Sequence, residues 1–236
     1  AMLDGEIDLA VHSMKDMPTV IVEGLTIAAI LKRHDPHDVM VAIPEITSFD
    51  ALPEGAKVGT SSLRRRAQLL HIRPDLDIHD IRGNLNTRMR KMADEHFDAL
   101  ILAAAGVERL GWSDKITEKL SYDICLPAVS QGAIGVECRA DDAEILALTA
   151  LIHDEATAVC VKAERALLKT LEGGCQVPIG ALAEIQGEQL YLRGIVGSLN
   201  GTILLKDQET GSIETPEQIG ITLAQRFLDN GAQQIL

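Results

Sequence analysis

The chain has 236 residues, of which 46% are hydrophobic and only 3% aromatic, and its formal net charge is −13. This composition is typical of a globular protein with a sizeable core and excludes a disordered chain. The negative charge disfavours nucleic acid and anionic membranes as partners, and no apolar run has bilayer-spanning length. Four unevenly spaced cysteines without a CxxC pair favour a reducing cytoplasm, with neither a disulfide framework nor a zinc site.

The predicted elements begin abruptly at the amino end of the chain. Residues 1–5 read as the last turn of a helix, and a buried-type strand follows at once over residues 7–12. Complete domains rarely open in this way. We therefore expect that further residues precede position 1 and that the first domain lacks at least one strand and one helix here.

Strands and helices alternate in the pattern from residue 7 to residue 110. After the first strand, the predicted elements are strands at 25–32, 56–60, 76–81 and 97–103 and helices at 62–72 and 84–95. Such alternation predicts parallel sheets flanked by helices. The runs 25–31 and 99–103 lack polar alternation, which is typical of strands covered on both faces.

The carboxyl-terminal part has a different pattern. A long helical stretch is predicted near residues 143–171, and two-residue alternation follows over 189–196 and 202–205. The Asn200-Gly201 pair between these runs is a strong hairpin signal. A closing helix over 216–230, capped by Thr215, makes this part an α+β domain.

Two segments with turn chemistry, residues 35–38 and 126–132, bracket about 90 residues and read as paired hinges. They predict a first domain from 1–36 and 131–152, a second from 37–130, and a C-terminal domain from 153–236. Two ordinary surface loops remain the alternative. A two-lobed chain of this kind would bind its ligand in the cleft, at the carboxyl ends of its strands.

Basic residues concentrate between positions 64 and 91, where eight Arg and Lys face three Asp. Residues 59–65, GTSSLRR, pass from a strand into a helix, where free amides and the helix dipole favour an anion. The motif is not a P-loop, and the adjacent Arg64 and Arg65 suit planar carboxylates. Residues 81–84 repeat this geometry, with Arg88 one helical turn further on. The alternative is a set of solvated helix faces.

Two further places carry reactive groups. Lys15 and Asp16 set a cation beside a carboxylate at the end of the first strand, a pairing that is common on surfaces and gains meaning from the arginines elsewhere. Cys175 stands between two glycines and a nearby proline, which present its thiol. The surroundings of Cys125, Cys138 and Cys160 are apolar and typical of inert core thiols.

Five segments in this order resemble the hydroxymethylbilane synthase family, also called porphobilinogen deaminase. They are residues 12–16 (HSMKD), 59–65 (GTSSLRR), 82–84 (RGN), 127–133 (PAVSQGA) and 172–178 (EGGCQVP). Asp35-Pro36 and Arg109 add to the match, which spans nearly the whole chain. Any one segment would be weak, but five in register leave little room for coincidence.

The resemblance implies two periplasmic-binding-protein-like α/β domains, the first N-terminally incomplete here, followed by an α+β domain. It implies a monomeric transferase of haem biosynthesis without a metal, whose dipyrromethane cofactor is joined by a thioether to Cys175. Four porphobilinogen molecules lose ammonia and add head to tail to this cofactor, and water then releases 1-hydroxymethylbilane. The residues implied to bind cofactor and substrate are Ser13, Lys15, Thr60, Ser61, Ser62, Arg64, Arg65, Arg82, Arg88, Arg109, Gln131 and Gly132.

The resemblance implies a catalytic role for Asp16, whose carboxylate would stabilise the positive charge that forms on the substrate as ammonia departs. One departure from the family is Ser130, where related sequences commonly have Gly. The main alternative function is a non-catalytic two-lobed anion-binding protein, which would need no special cysteine. A nucleic-acid-binding regulator is opposed by the net charge and by the lack of a recognition motif.

Overall fold

The computed structural model describes residues 1–171 and 177–235. The strands in these residues form three sheets, and the α/β fold class with a C-terminal α+β part is confirmed. The strands are β1 (Leu9–Ser13), β2 (Leu25–Ile30), β3 (Asp38–Ala42), β4 (Lys57–Gly59), β5 (Asp77–His79), β6 (Ala99–Ala103), β7 (Glu118–Lys119), β8 (Ile134–Arg139), β9 (Ile179–Gln186), β10 (Gln189–Gly197) and β11 (Leu204–Ser212). The helices are α1 (Leu63–Ile72), α2 (Leu85–Asp94), α3 (Ala104–Arg109), α4 (Ala143–Ala150), α5 (Glu155–Thr170) and α6 (Pro216–Asp229).

The first sheet has the order β1-β8-β2, with β8 antiparallel to both neighbours. The chain leaves β1 through one turn of 3-10 helix, Met14–Asp16. The side chain of Met14 is buried in an apolar cluster with Ile30 and Val161, so it anchors this turn to the core. The two polar residues that follow Met14 are thereby held at the carboxyl end of β1.

The middle sheet has five strands in the order β5-β4-β6-β3-β7. β4 is parallel to β5 and β6, whereas β3 is antiparallel to β6 and β7, so the prediction of purely parallel sheets was wrong. Leu100, Ile101 and Leu102 of β6 are almost fully buried, and apolar clusters cover both faces of the sheet. The unbroken apolar run therefore did predict a strand covered on both sides.

The C-terminal sheet is an antiparallel meander, β9-β10-β11, packed against α5 and α6. The predicted hairpin is present between β10 and β11, and Gly201 in its connection has a φ of 74°. The predicted single helix near 143–171 is two helices, because Asp154 accepts a hydrogen bond from the Thr157 amide at 2.8 Å and begins α5 anew. Thr215 precedes α6 but makes no side-chain cap.

Two connecting segments, one before β3 and one before β8, lie side by side. The His34 amide donates to the Gly132 carbonyl at 3.0 Å, and Arg33 Nε donates to the Gln131 carbonyl at 2.8 Å. Gly132 has a φ of +86°, and a Cβ there would lie 2.5 Å from the His34 carbonyl oxygen. The close approach of the two segments thus depends on glycine at this position.

A buried ion pair fastens these segments to the C-terminal part. Glu164 of α5 is fully buried and accepts from Arg33 Nη1 at 2.6 Å and Nη2 at 3.1 Å. Its two oxygens also accept from the amides of Ser130, at 2.6 Å, and Ala183, at 2.8 Å. We call this group, Glu164 with Arg33 and the two amides, the Glu164 centre. It joins α5, β9 and both connecting segments through one carboxylate.

An aromatic contact joins the middle sheet region to the C-terminal sheet. The Tyr122 ring stacks on the His37 ring with centroids 4.0 Å apart, and the Arg193 guanidinium lies 4.8 Å from the Tyr122 centroid. Burial raises the pKa of Tyr122 to about 12. The phenol therefore stays protonated at neutral pH.

Candidate functional site

Two strand-to-helix turns form one side of the site. Ser62 begins α1, with its Oγ accepting from the Arg65 amide, and Asn84 begins α2 in the same way through the Thr87 amide. Ser61 Oγ donates to the Ile81 carbonyl at 2.9 Å and accepts from the Ile81 amide at 3.0 Å. The hydroxyls of Ser61 and Ser62, predicted to contact ligand, are thus engaged in holding the two turns in place.

The adjacent arginines of α1 converge on one buried carboxylate, that of Asp38 at the start of β3. Arg64 Nη1 donates to Asp38 Oδ2 at 2.7 Å, and Arg65 donates to Oδ1 through Nη2 at 2.6 Å and Nε at 3.0 Å. Gln131 Nε2 also donates to Oδ1, at 2.9 Å, and Cys125 Sγ donates to Oδ2 at 3.2 Å. We call these five residues the Asp38 centre.

Charge in the Asp38 centre is unbalanced. Burial alone would raise the pKa of Asp38, but the guanidinium charges of Arg64 and Arg65 outweigh it and hold that pKa well below its ordinary value. Two buried guanidinium groups thus face one carboxylate. Among the described residues, Arg64 Nε and Gln131 Oε1 are buried without a hydrogen-bond partner. Among its described residues the centre therefore has one donor and one acceptor without partners, and one positive charge more than it has negative charge.

A cavity of about 270 Å³ opens beside this centre, where all three sheets meet. Lys15 and Asp16 line it from the turn after β1, and Val177 and Ile179 line it from the C-terminal part. The remaining lining residues are Ser61, Ser62, Arg64, Arg65, Arg88, Ala128, Val129, Gln131 and Leu168. The structure therefore brings together eight of the predicted residues, Lys15, Asp16, Ser61, Ser62, Arg64, Arg65, Arg88 and Gln131.

The cationic groups of the cavity influence one another. Burial lowers the pKa of Lys15 and the charge of Arg65 lowers it further, while the carboxylate of Asp16 acts in the opposite direction. Burial and the charge of Arg65 also lower the pKa of Arg88, whose Nε donates to the Gly83 carbonyl at 2.8 Å. An anion in this cavity would relieve the mutual repulsion of these groups.

Five other predicted residues lie outside the lining of this cavity. Arg82 has a side chain 85% exposed, and Ser13 and Arg109 are also exposed. Thr60 is buried beneath the turn, where its Oγ1 accepts from the Ser62 amide, and Gly132 belongs to the connecting segment. The predicted attachment residue, Cys175, lies outside the described residues.

The other three cysteines agree with their interpretation as core thiols. Cys125, Cys138 and Cys160 are free and buried. Burial raises the pKa of Cys125 to about 12 and that of Cys160 to about 11, so both stay protonated at neutral pH. None of the three presents an accessible thiolate.

Sequence reasoning missed Asp38, which it assigned only to a turn. The available signal was a charged residue opening the apolar strand Asp38–Ala42, within a chain that places two adjacent arginines elsewhere. Residues 1–171 and 177–235 contain no group of three or more His, Cys, Asp and Glu arranged to hold a metal ion. Across the same residues, no helix is both long and apolar enough to cross a membrane.

Comparison with known proteins gives matches along nearly the whole chain. A family model described as porphobilinogen deaminase, dipyromethane cofactor binding domain, matches residues 1–147, and one described as porphobilinogen deaminase, C-terminal domain, matches residues 158–229. The porphobilinogen deaminase of Carboxydothermus hydrogenoformans is 56% identical over 236 residues, covering 100% of this chain and 76% of its own length. That of Moorella thermoacetica is 54% identical over 100% of this chain and 75% of its own length.

Proposed function

The chain belongs to the porphobilinogen deaminase family and is a transferase that acts on porphobilinogen, and we propose that the cavity beside the Asp38 centre is where it does so. The reaction joins four porphobilinogen molecules head to tail on a dipyrromethane cofactor and releases 1-hydroxymethylbilane. The observation that carries the proposed site is the presence of Asp16 and an excess of buried cationic groups on the walls of one cavity.

The donor set of the cavity fits the dipyrromethane cofactor, because each of its pyrrole rings carries an acetate and a propionate. Two buried arginines share one protein carboxylate, and Arg64 Nε is buried without a partner among the described residues. Arg64, Arg65, Lys15 and Arg88 would hold the cofactor and substrate carboxylates by charge-assisted hydrogen bonds. When bound, the cofactor supplies the pyrrole carbon to which the first substrate unit is joined.

We assign the attachment of the cofactor to Cys175. Val177, two positions later in the sequence, lines the cavity. The described cysteines are buried within the core and are therefore unsuited to carrying a covalent group. By the family match, the exposed Arg82 and Arg109, together with Ser13, Thr60 and Gly132, are assigned to contacts with the bound pyrrole chain or to support of its binding segments.

Asp16 is assigned the catalytic role. It is exposed and lines a cavity whose other charged groups are Lys15, Arg64, Arg65 and Arg88. A fixed carboxylate in this position stabilises the positive charge that develops on the substrate when ammonia leaves, and it can accept the pyrrole N–H. The cationic groups hold the substrate carboxylates, which keeps the reacting ring beside Asp16.

We also propose the division into residues 1–36 with 131–152, residues 37–130, and residues 153–236, which follows the three sheets. Four unevenly spaced cysteines without a CxxC pair support a cytoplasmic location, and the net charge of −13 supports a monomer. Sedimentation of the purified protein at several concentrations would test the oligomeric state.

The decisive experiment combines turnover with mass analysis. Purified protein is incubated with porphobilinogen, and the release of ammonia and of hydroxymethylbilane is measured. The intact mass of the protein is then determined, and peptide mapping locates any modification. We expect turnover, and a dipyrromethane group on the peptide that contains Cys175. Unmodified Cys175 in an active, cofactor-loaded sample would contradict the attachment. Binding of porphobilinogen without ammonia release would favour the non-catalytic anion-binding protein.

A further inference from the structure

Asp38 contacts three residues of the cavity lining but does not itself line the cavity. Its side chain is fully buried and is absent from the cavity lining, whereas Arg64, Arg65 and Gln131 all line the cavity and all donate to its carboxylate. A group in this position cannot touch substrate or cofactor. Any effect that Asp38 has on the reaction must therefore pass through the side chains that it holds.

The two guanidinium groups are fixed along their inner edges. Besides Asp38, Arg64 Nη1 donates to the Leu126 carbonyl at 2.6 Å, and Arg65 Nη1 donates to the Ile101 carbonyl at 2.8 Å. These contacts prevent rotation of each planar group. Arg64 Nε is buried without a hydrogen-bond partner among the described residues, and both guanidinium groups line the cavity that an anion would enter.

The same carboxylate connects the arginines to the segments that join the sheets. Gln131 donates through Nε2 both to Asp38 Oδ1 and to the Pro36 carbonyl, the latter at 2.7 Å. The Gln131 carbonyl in turn accepts from Arg33, the partner of Glu164. The direction of the two site arginines is thus tied to the relative position of both connecting segments.

We propose that Asp38 is a positioning residue for the reaction, which sets the directions of Arg64 and Arg65 and limits the Asp38 centre to one excess positive charge. This inference rests on the proposed function of the cavity. With Asp38 neutral, the two arginines would retain both positive charges and lose their common anchor. They would then bind small anions more tightly while holding the substrate carboxylates in the wrong place.

The test compares two variants of the full-length, cofactor-loaded protein, Asp38→Asn and Glu164→Gln. Each removes the charge of one buried carboxylate that is paired with arginine, but only the first lies next to site arginines. We expect Asp38→Asn to lower kcat on the order of 100-fold, as a small misplacement of binding groups does, without a matching rise in KM for porphobilinogen. We expect Glu164→Gln to lower the stability of the protein and to change its kcat and KM for porphobilinogen much less than Asp38→Asn does.

A second measurement is independent of turnover. Sulfate, used as a probe anion, should raise the melting temperature of Asp38→Asn more than that of the parent, because the additional unneutralised charge lies on arginines that line the cavity, whereas Arg33 does not line it. Glu164→Gln should respond to sulfate as the parent does. A sulfate response of Asp38→Asn equal to that of the parent, or a kcat equal to it, would overturn the proposal.

If Asp38→Asn does not fold, variants of Cys125, whose thiol contacts Asp38, test the proposal instead. Cys125→Ala removes the Sγ donor to Asp38 Oδ2, and Cys125→Ser keeps a donor there. We expect a several-fold lower kcat in the alanine variant and recovery in the serine variant. Equal kcat values in all three proteins would reject the positioning role. Absence of turnover in the parent would instead reject the proposed function.

Discussion

Among residues 1–171 and 177–235, two buried carboxylates hold arginines, and they differ in the number of arginines that each one contacts. Glu164 faces one arginine, Arg33, and its remaining contacts are two backbone amides, so its charge is balanced. Asp38 faces two arginines and lies beside a cavity, with a guanidinium nitrogen left unpartnered among the described residues. Both carboxylates are fully buried. Burial of an ion pair therefore does not distinguish the two centres, but their charge balance does.

This difference separates structural arginines from binding arginines. A balanced, fully hydrogen-bonded pair has no remaining capacity for a ligand, and breaking it leaves an uncompensated buried charge. An unbalanced centre holds positive charge that an added anion can neutralise. We therefore expect changes at the Glu164 centre to act on folding, and changes around the Asp38 centre to act on the reaction.

The largest expected effect is on stability, at the Glu164 centre. Glu164→Gln leaves Arg33, whose side chain is only 11% exposed, without a counter-charge and should lower the free energy of unfolding by about 3–5 kcal/mol, measured by urea denaturation. Glu137→Gln is the matched control, because Glu137 is also buried but pairs with His12, whose side chain is 33% exposed. We expect the control to lose about 1 kcal/mol or less. Equal losses of unfolding free energy in the two variants would show that the Glu164 centre contributes no more to stability than the Glu137–His12 pair.

The next effect is on turnover, beside the Asp38 centre. Asp16→Asn removes the carboxylate that stabilises developing positive charge and should lower kcat by about 10²–10³-fold, measured as hydroxymethylbilane formation. Stability should stay within about 0.5 kcal/mol, because the Asp16 side chain is exposed. Asp141→Asn, at another exposed aspartate, should leave both quantities unchanged. Near-parental turnover of Asp16→Asn would remove this residue from the mechanism.

A third change tests the connecting segment that touches both centres. Gly132→Ala places a Cβ 2.5 Å from the His34 carbonyl in a backbone with a φ of +86°, and should cost about 1–3 kcal/mol of unfolding free energy. Gly187→Ala is the control, because its φ of +65° is similar and no atom lies within 4 Å. The control isolates the backbone penalty. A loss in Gly132→Ala no larger than in the control would show that the segments can move apart.

The smallest effect is a gain. Ser130 has a φ of 62° and a buried Oγ without a partner among the described residues, so Ser130→Gly should stabilise the protein by about 1 kcal/mol. His96→Gly is the control, because His96 has a φ of 54° but is exposed. Comparing the melting temperatures of the two variants would separate the effect of the positive φ, which both positions share, from the effect of the buried Oγ, which only Ser130 has. A loss of stability in Ser130→Gly would mean that the serine side chain contributes an unrecognised contact.

Local chemistry made much of the fold predictable. The strand-to-helix turns before α1 and α2, the apolar strand β6 and the Asn200-Gly201 hairpin all follow from short sequence patterns. Four strands, β3, β7, β8 and β9, were not predicted. β3 opens with a buried Asp directly after a turn, and β9 begins with the small residues of Ile-Gly-Ala-Leu-Ala, which lack a strand-specific pattern.

The site was predictable in its members but not in its arrangement. Arg64, Arg65, Gln131, Lys15 and Asp16 were identified from their motifs. The partner that orders three of them, Asp38, is 26 positions from Arg64 and 93 from Gln131, and neither distance follows from a local pattern. Sequence also could not reveal that the hydroxyl of Ser61 is occupied by the backbone of Ile81. Such contacts arise only when the chain has folded.

Tyr122, which contacts both His37 and Arg193, is an intrinsic spectroscopic probe of the contact between the middle sheet region and the C-terminal sheet. The chain has two tyrosines, and this ring contacts a histidine of the middle sheet region on one side and an arginine of the C-terminal sheet on the other. Its ultraviolet absorbance and emission will therefore change if the two sheets separate during a catalytic cycle. A variant that combines Tyr191→Phe with Trp112→Phe would leave Tyr122 as the sole tyrosine and remove the overlapping tryptophan emission, so that motion between the sheets could be followed without an attached dye.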